Sequence, residues 1–297
     1  MFLTVFTPAY NRAHTLGRTY KSLRAQTCKD FVWLVVDDGS TDNTAELVKE
    51  WQSASDNGFD IGYIYKENGG LHTAYNTAIA NMDSELAVCI DSDDYMPDNA
   101  VQLIKEKWIR DGEPRYAGII GLDYTIEGKL IGGFLPEQKA INLIDIALGK
   151  YPMKKGDKKD VVRTDLYKSV APMQVYPGEK NFNPHYMHLE ISKKYDFLTL
   201  NKPLCIVEYQ EGGMTASQFK QYYNSPNSFI EIRKQYLQFK DTPLKGRIRN
   251  TIHLVSSAIL AHKLGGTIRE VKDKVLTIMC IPPGALLTVI VYLKGRN

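Results

Sequence analysis

Over the first 125 residues, short apolar runs alternate with helical periodicity, and a polar cluster closes each run. Phe2–Phe6 runs into Pro8, and Leu16, Tyr20 and Leu23 then recur at helical spacing. Phe31–Val36 is a continuous apolar stretch of the kind that parallel strands use, followed by a helix with Leu47, Val48 and Trp51 on its apolar face. Ile61–Tyr65 reads as a third strand before a helix around 73–80, and Leu86–Ile90 as a fourth. Pro97 opens a helix that carries Val101, Ile104 and Trp108 on one side. This order predicts an α/β fold with a mostly parallel sheet flanked by helices. In such sheets the ligand lies at the carboxyl ends of the strands. The polar clusters 8–12, 37–41, 68–72 and 91–94 fall at those ends.

Each cluster carries residues suited to an activated, phosphorylated ligand. In Asp91-Ser92-Asp93-Asp94, two carboxylates one residue apart can reach a single hard divalent cation. A cation there would neutralise charge on a leaving diphosphate. Read alone, the same residues make a solvated acidic turn. Asp37 and Asp38 close a buried strand, where carboxylates can accept from a base N–H or a ribose hydroxyl. Ser40 and Thr41 are expected to cap the following helix. In Pro8-Ala9-Tyr10-Asn11-Arg12, Tyr10 can stack on a base and Arg12 can meet phosphate, although the segment alone is an ordinary turn. Asn68-Gly69-Gly70-Leu71-His72 lets backbone approach a ligand ahead of a helix N-terminus, or is a plain turn.

In this order and spacing, TPAYNR at 7–12, VVDDGSTD at 35–42, ENGGLHTAYN at 67–76 and DSDD at 91–94 resemble the family 2 glycosyltransferases of GT-A fold, of the bacterial surface-polysaccharide type. The resemblance is firm over residues 1–125 and looser over 126–215. It implies a nucleotide-diphosphate-sugar donor, typically UDP-linked, with Mn²⁺ or Mg²⁺ and inversion at the anomeric carbon. Pro8, Tyr10, Asn11, Arg12, Asp37, Asp38, Asn68, Gly70, His72, Asp91 and Ser92 are then expected to bind the donor, and Asp91 and Asp93 the metal. The family's general base lies in a downstream acidic motif, for which Glu179 of Tyr176-Pro177-Gly178-Glu179-Lys180 is the match. Lys180 stands where a second acid usually sits, so Glu190 and Glu208 are alternatives. Asn181–His188 resembles an acceptor-side loop, and Glu211-Gly212-Gly213-Met214-Thr215 a segment near the donor phosphates. His185, His188, Lys158, Lys159 and Arg163 can meet phosphate or acceptor, or simply be solvated.

The 297 residues suffice for one large α/β domain and an appendage of roughly 50–100 residues. The expected organisation is a catalytic domain over 1–215, with a donor half 1–125 and an acceptor half 126–215, then a basic helical extension over 216–297. Lys129–Phe134 is expected to pair with Ala117–Tyr124 as a hairpin, and short strands are expected at 198–200 and 205–209, on either side of Pro203. The net charge of +3 is too small to indicate nucleic acid, and no such partner is expected. Cys28, Cys89, Cys205 and Cys280 lack ligand spacing and are expected to be reduced thiols in the cytoplasm. Met1–Thr7 has no basic stretch or cleavage site, so no signal peptide is expected.

Residues 275–293 carry no charge between flanking lysines, with Pro282-Pro283-Gly284 in the middle. They admit three readings: an interfacial or re-entrant anchor on the inner membrane surface, a single span, or a core-packing tail. The first suits a lipid-linked or polysaccharide acceptor. Two other functions remain open. A nucleotidyltransferase would carry a Gly-rich basic loop after the first strand, where Pro8-Ala9-Tyr10-Asn11 stands. A non-catalytic nucleotide-sugar-binding subunit would not need the Asp91/Asp93 pair.

Overall fold

A computed structural model describes residues 1–154, 156–208 and 218–296. The chain divides into two compact units. The first comprises Met1–Gly69, Thr73–Pro172 and Met187–Tyr209, and the second Gly70–His72, Met173–Tyr186 and Gln210–Asn297. The region expected as an acceptor half is thereby shared between them.

The first unit is built on an eight-stranded sheet. Its strands are β1 (Leu3–Ala9), β2 (Phe31–Asp37), β3 (Asp60–Tyr65), β4 (Leu86–Cys89), β5 (Tyr116–Thr125), β6 (Ala140–Ile141), β7 (Lys158–Arg163) and β8 (Asp196–Val207). They lie in the order β3-β2-β1-β4-β7-β5-β8-β6. β3, β2, β1 and β4 are parallel, β7 runs against both β4 and β5, and β8 pairs parallel to β5. The helices are α1 (Leu16–Arg24), α2 (Thr44–Ser53), α3 (Leu71–Asn81), α4 (Ala100–Asp111), α5 (Leu143–Ala147), α6 (Thr164–Val170) and α7 (His185–Ser192).

Alternation along β1 sorts the core. Leu3 and Val5 join Leu16, Tyr20 and Leu23 of α1, Val48 of α2, and Val101, Ile104 and Trp108 of α4. Phe6 has the opposite parity and meets Tyr75 of α3 at 5.0 Å and Tyr167 of α6 at 6.4 Å between ring centroids. Helices therefore cover both faces, as the alternating order requires.

Three expected elements differ. The 117–124/129–134 hairpin reduces to one bridge between Tyr124 and Leu130, because β5 takes β7 and β8 as its partners. The two short strands around Pro203 are one strand, β8, whose register against β5 shifts between Ile120 and Leu122, where Pro203 pairs. A proline has no N–H to give the ladder, and the irregularity accommodates it. The segment with Lys158, Lys159 and Arg163, expected to meet phosphate or solvent, is a central strand, β7.

The second unit contains α8 (Gln218–Asn224), α9 (Pro226–Gln238), α10 (Leu244–Leu260), α11 (Leu264–Glu270), α12 (Lys274–Met279) and α13 (Ile281–Gly295). Pro282 and Pro283 occupy the first turn of α13, where missing N–H groups cost nothing, so the apolar tail breaks at Cys280. Among the described residues no helix is long and apolar enough to cross a membrane. One side of α13 packs inward: Val291 is buried and Gly284 fits beneath Val255 of α10. Leu286, Val289, Ile290 and Leu293 are exposed at helical spacing, as are Val275, Ile278 and Met279 of α12.

Candidate active site

Two loops at the carboxyl end of the sheet lock together. Asn11, in the left-handed region at φ 54°, donates its N–H to the Ser40 hydroxyl, and its side-chain oxygen accepts from Thr41 N–H. The N–H groups of Arg12 and Ala13 reach Thr44 Oγ1 and Asp42 Oδ2. Ser40 and Thr41 thus tie the loops together instead of capping α2. Asp42, through its bonds with Thr44, takes the side-chain role at that helix start. Tyr10 is exposed beside this junction.

Asp37 ends β2 fully buried, accepting from Ser40 N–H at 2.7 Å and from the Tyr63 hydroxyl at 2.7 Å. Burial, and then Asp37, push the Tyr63 hydroxyl well above its usual range, so it stays a donor. Asp38 accepts from Lys66 Nζ at 2.6 Å and Gly69 N–H at 3.0 Å, while the Asn68 amide reaches its backbone oxygen at 2.8 Å. Gly39 closes the turn at φ 83°, where a Cβ would stand 2.7 Å from the Asn68 nitrogen. Tyr63 and Lys66 are functional neighbours that sequence reading missed, since neither lies in a recognisable motif.

The 91–94 loop follows β4. Asp91 is exposed, Asp93 half-buried, and Ser92 and Asp94 buried. Burial and the charge of Asp91 raise Asp93, while Arg12 and Arg18 act in the opposite direction. The two carboxylates therefore share one corner with two guanidinium groups. Asp94 faces inward: its oxygens receive the Glu208 N–H at 3.3 Å and the Cys205 thiol at 3.7 Å. Burial raises Asp94 as well, opposed by Lys159. Burial lowers the proton affinity of the Lys159 ammonium, but Cys205, Asp123, Asp91 and Asp94 outweigh it and hold the group protonated. It thus neutralises the acidic corner from beneath.

Residues 4–124 match the family model described as Glycosyl transferase family 2. The match covers β1 to β5 of the first unit and less than half of the chain. The chain's relatives include the glycosyltransferase GlyA of Streptococcus pneumoniae, 37% identical over 105 residues that make up 35% of this chain and 15% of that protein. The chondroitin synthase of Pasteurella multocida is 32% identical over 109 residues, 37% of this chain and 11% of the relative. The chain thus spans only a small part of these curated relatives. Among solved structures, S. aureus TarS in complex with UDP-GlcNAc superposes with a TM-score of 0.59 at 18% identity, over 94% of this chain and 79% of that one. The mannosyltransferase PcManGT from Pyrobaculum calidifontis, in complex with GDP-Man and Mn²⁺, gives 0.56 at 18% identity, over 97% and 86%. The fold is therefore that of GT-A transferases.

Within the matched residues, Pro8, Tyr10, Asn11, Arg12, Asp37, Asp38, Asn68, Asp91, Ser92 and Asp93 all lie at the carboxyl ends of the first unit's strands or on the loops that follow them. Gly70 and His72 group instead with the helical unit. A Cβ on Gly70, at φ 92°, would meet the Lys180 carbonyl oxygen at 2.0 Å, and His72 is fully buried 6.3 Å from the Phe182 ring. Lys158 Nζ binds the Ile131 carbonyl, and Arg163 the Pro114 carbonyl and Asp165. His188 lies between Asp160 Oδ2 and the Tyr167 hydroxyl, each at 2.7 Å. His185 begins α7, its N–H bonded to Asn183 Oδ1. The segment 211–215 lies outside the described residues.

The carboxylate expected to act as general base is committed elsewhere. Glu179 is buried in the helical unit and accepts four hydrogen bonds of 2.7–2.8 Å. The donors are the backbone and side chains of Asn227 and Ser228, at the start of α9. It satisfies the orphan N–H groups of that helix from a distant point in sequence, leaving no lone pair for an acceptor hydroxyl. Glu190 pairs with Lys193 on α7. Glu208 follows β8, pairs with Arg18, and gives its N–H to Asp94, which puts it in the acidic corner.

Proposed function

We propose that this chain is an inverting glycosyltransferase that moves a sugar from a nucleotide-diphosphate-sugar, of UDP type, to a polysaccharide or lipid-linked glycan. The observation that carries the reading is the pairing of Asp91 and Asp93, beside Arg12 and Arg18, at the strand ends that hold Asp37 and Asp38. Base and ribose recognition fall, on this reading, to the strand end that carries the buried Asp37 and Asp38, with Tyr10 exposed for stacking. Arg12 and Arg18 carry charge that suits a diphosphate.

Asp91 and Asp93 fit a hard divalent cation such as Mn²⁺ or Mg²⁺, because both offer carboxylate oxygens. No group of three ligand side chains gathers at this loop among the described residues, so donor phosphates and water would complete the coordination. Such an ion supplies charge neutralisation for the departing diphosphate. In the displacement, the acceptor oxygen bonds to the anomeric carbon as the sugar–phosphate C–O bond breaks, and the nucleoside diphosphate leaves with the electron pair. The acceptor proton passes to a base, a role for which Glu208 is now the best-supported carboxylate. The exposed apolar faces of α12 and α13 support an interfacial position on the inner membrane surface, where lipid-linked acceptors lie.

Asp93→Ala tests the assignment. It should abolish Mn²⁺-dependent release of nucleoside diphosphate and weaken metal-dependent donor binding. Unchanged turnover would remove the metal role, and release of pyrophosphate would make the enzyme a nucleotidyltransferase.

A further inference from the structure

The helical unit holds a second cluster of charge that the transfer reaction does not use. On α10, Lys245 and Arg249 lie four residues apart and form a short cationic stripe, which His253 continues as a neutral imidazole. Leu244, Ile248 and Ile252 form the apolar stripe beside it, and Leu244 and Ile248 are 66% and 38% exposed. Arg233 of α9 reaches the same place. Its guanidinium donates to Asn250 Oδ1 at 3.0 Å and to the Tyr222 hydroxyl at 2.6 Å, both on buried residues. Its Nε is buried with no hydrogen-bond partner. The Tyr222 ring lies 5.5 Å from that of His253, which closes the cluster from α8.

Among the described residues no carboxylate forms an ion pair with Arg233, Lys245 or Arg249. Among the described residues, the ion pairs of this unit lie elsewhere: Lys234 with Glu231 and Glu270, and Arg247 with Asp273. The Arg233 guanidinium lies 5.9 Å from the centroid of the Tyr222 ring, and that ring lies 5.5 Å from His253, one turn along α10 from Arg249; burial and these two charges lower the His253 imidazole. Like charges gathered without a carboxylate raise the energy of the fold unless an anion joins them. Two guanidinium groups offer the planar donors that suit phosphate oxygens. An exposed leucine and isoleucine beside them would suit acyl chains and serve no purpose for a soluble ion.

We infer that Arg233, Arg249, Lys245 and the adjoining face of α10 form a binding site for the phosphate of an anionic lipid headgroup. The lipid source rests on the membrane reading above, whereas the affinity for phosphate does not. Neutral Asn250 and Tyr222 hold Arg233 in place, and Arg249 and Lys245 approach from solvent. Leu244 and Ile248 enter the acyl border. The site is built from residues of the helical unit alone, so occupancy requires neither donor nor metal.

Vesicle sedimentation of the full chain in EDTA, without nucleotide, tests this. The protein should bind phosphatidylcholine vesicles containing phosphatidylglycerol, and pure phosphatidylcholine much more weakly. Arg249→Gln, at an exposed position that leaves the bundle intact, should weaken binding by about tenfold, the size of one lost charged hydrogen bond. The Arg233→Gln/Arg249→Gln pair should weaken it further, with circular dichroism reporting the fold. Lys294→Gln/Arg296→Gln, a control of equal charge at the chain end, should have a smaller effect. Equal losses in both double variants would mean diffuse charge attraction and overturn the site. Wild-type binding by Arg249→Gln would do the same. Saturable binding of inorganic phosphate without vesicle binding would overturn the lipid source. Concentration-dependent self-association without vesicle binding would assign this face to a second copy of the chain instead. Because donor hydrolysis is measured separately, loss of vesicle binding with turnover intact leaves the transferase reading standing.

Discussion

At the scale of single residues, the carboxylates divide by what surrounds them. Asp91 and Asp93 remain accessible beside arginines, whereas Glu179 is enclosed by four donors. Glu179→Ala would leave two backbone N–H groups and two side chains of α9 unsatisfied. The expected cost is about 2–4 kcal/mol of stability, read as a lower denaturation midpoint, with turnover of the folded fraction retained. Glu208→Gln should show the reverse pattern, with orders of magnitude lost in turnover and donor affinity nearly intact. His253 offers a pH readout. Its proton affinity in the fold is lowered to about 4 from 6.5, so the unfolded chain takes up a proton first as pH falls. The contribution of this group to stability is therefore complete above pH 6.5 and is lost between 6.5 and about 4. Imidazole NMR should find His253 neutral at pH 5.5, and bound phosphate should raise its midpoint.

At the scale of elements, β7 decides the character of the site. An antiparallel strand between β4 and β5 carries Lys159 beneath the aspartates of two neighbours. Lys159→Met would remove the main cation that offsets the burial of Asp94 and Asp123, leaving Lys158 near Asp123. The expected outcome is a lower midpoint in denaturant unfolding, because buried carboxyl groups lose an offsetting charge. α13 shows a different dependence, on shape. Gly284 admits α13 to the surface of α10 because a Cβ there would stand 2.4 Å from Val255 Cγ1. Gly284→Leu should loosen α13, seen as faster amide exchange over 281–295, while the exchange of β1 and β2 stays unchanged.

At the scale of the whole molecule, the sequence by itself determined the alternating half of the sheet. The runs Phe31–Val36 and Leu86–Ile90 are apolar throughout because parallel strands are covered on both faces, and this pattern needs no tertiary information. The same logic located the four polar clusters, since short loops at strand ends must stay near those ends. Only the tertiary structure decided the rest. Lys159 reads as a surface residue until β7 is inserted in the sheet, because the cost of burying its charge is offset by aspartates from strands distant in sequence. Glu179 reads as a base until α9, nearly fifty residues on, supplies the donors that consume it. Arg233 and Arg249 become one cluster only when α9 packs against α10. Local periodicity reports which face of an element is covered. Which charge meets which is a long-range contact, and its energy appears only once the chain has brought the two together.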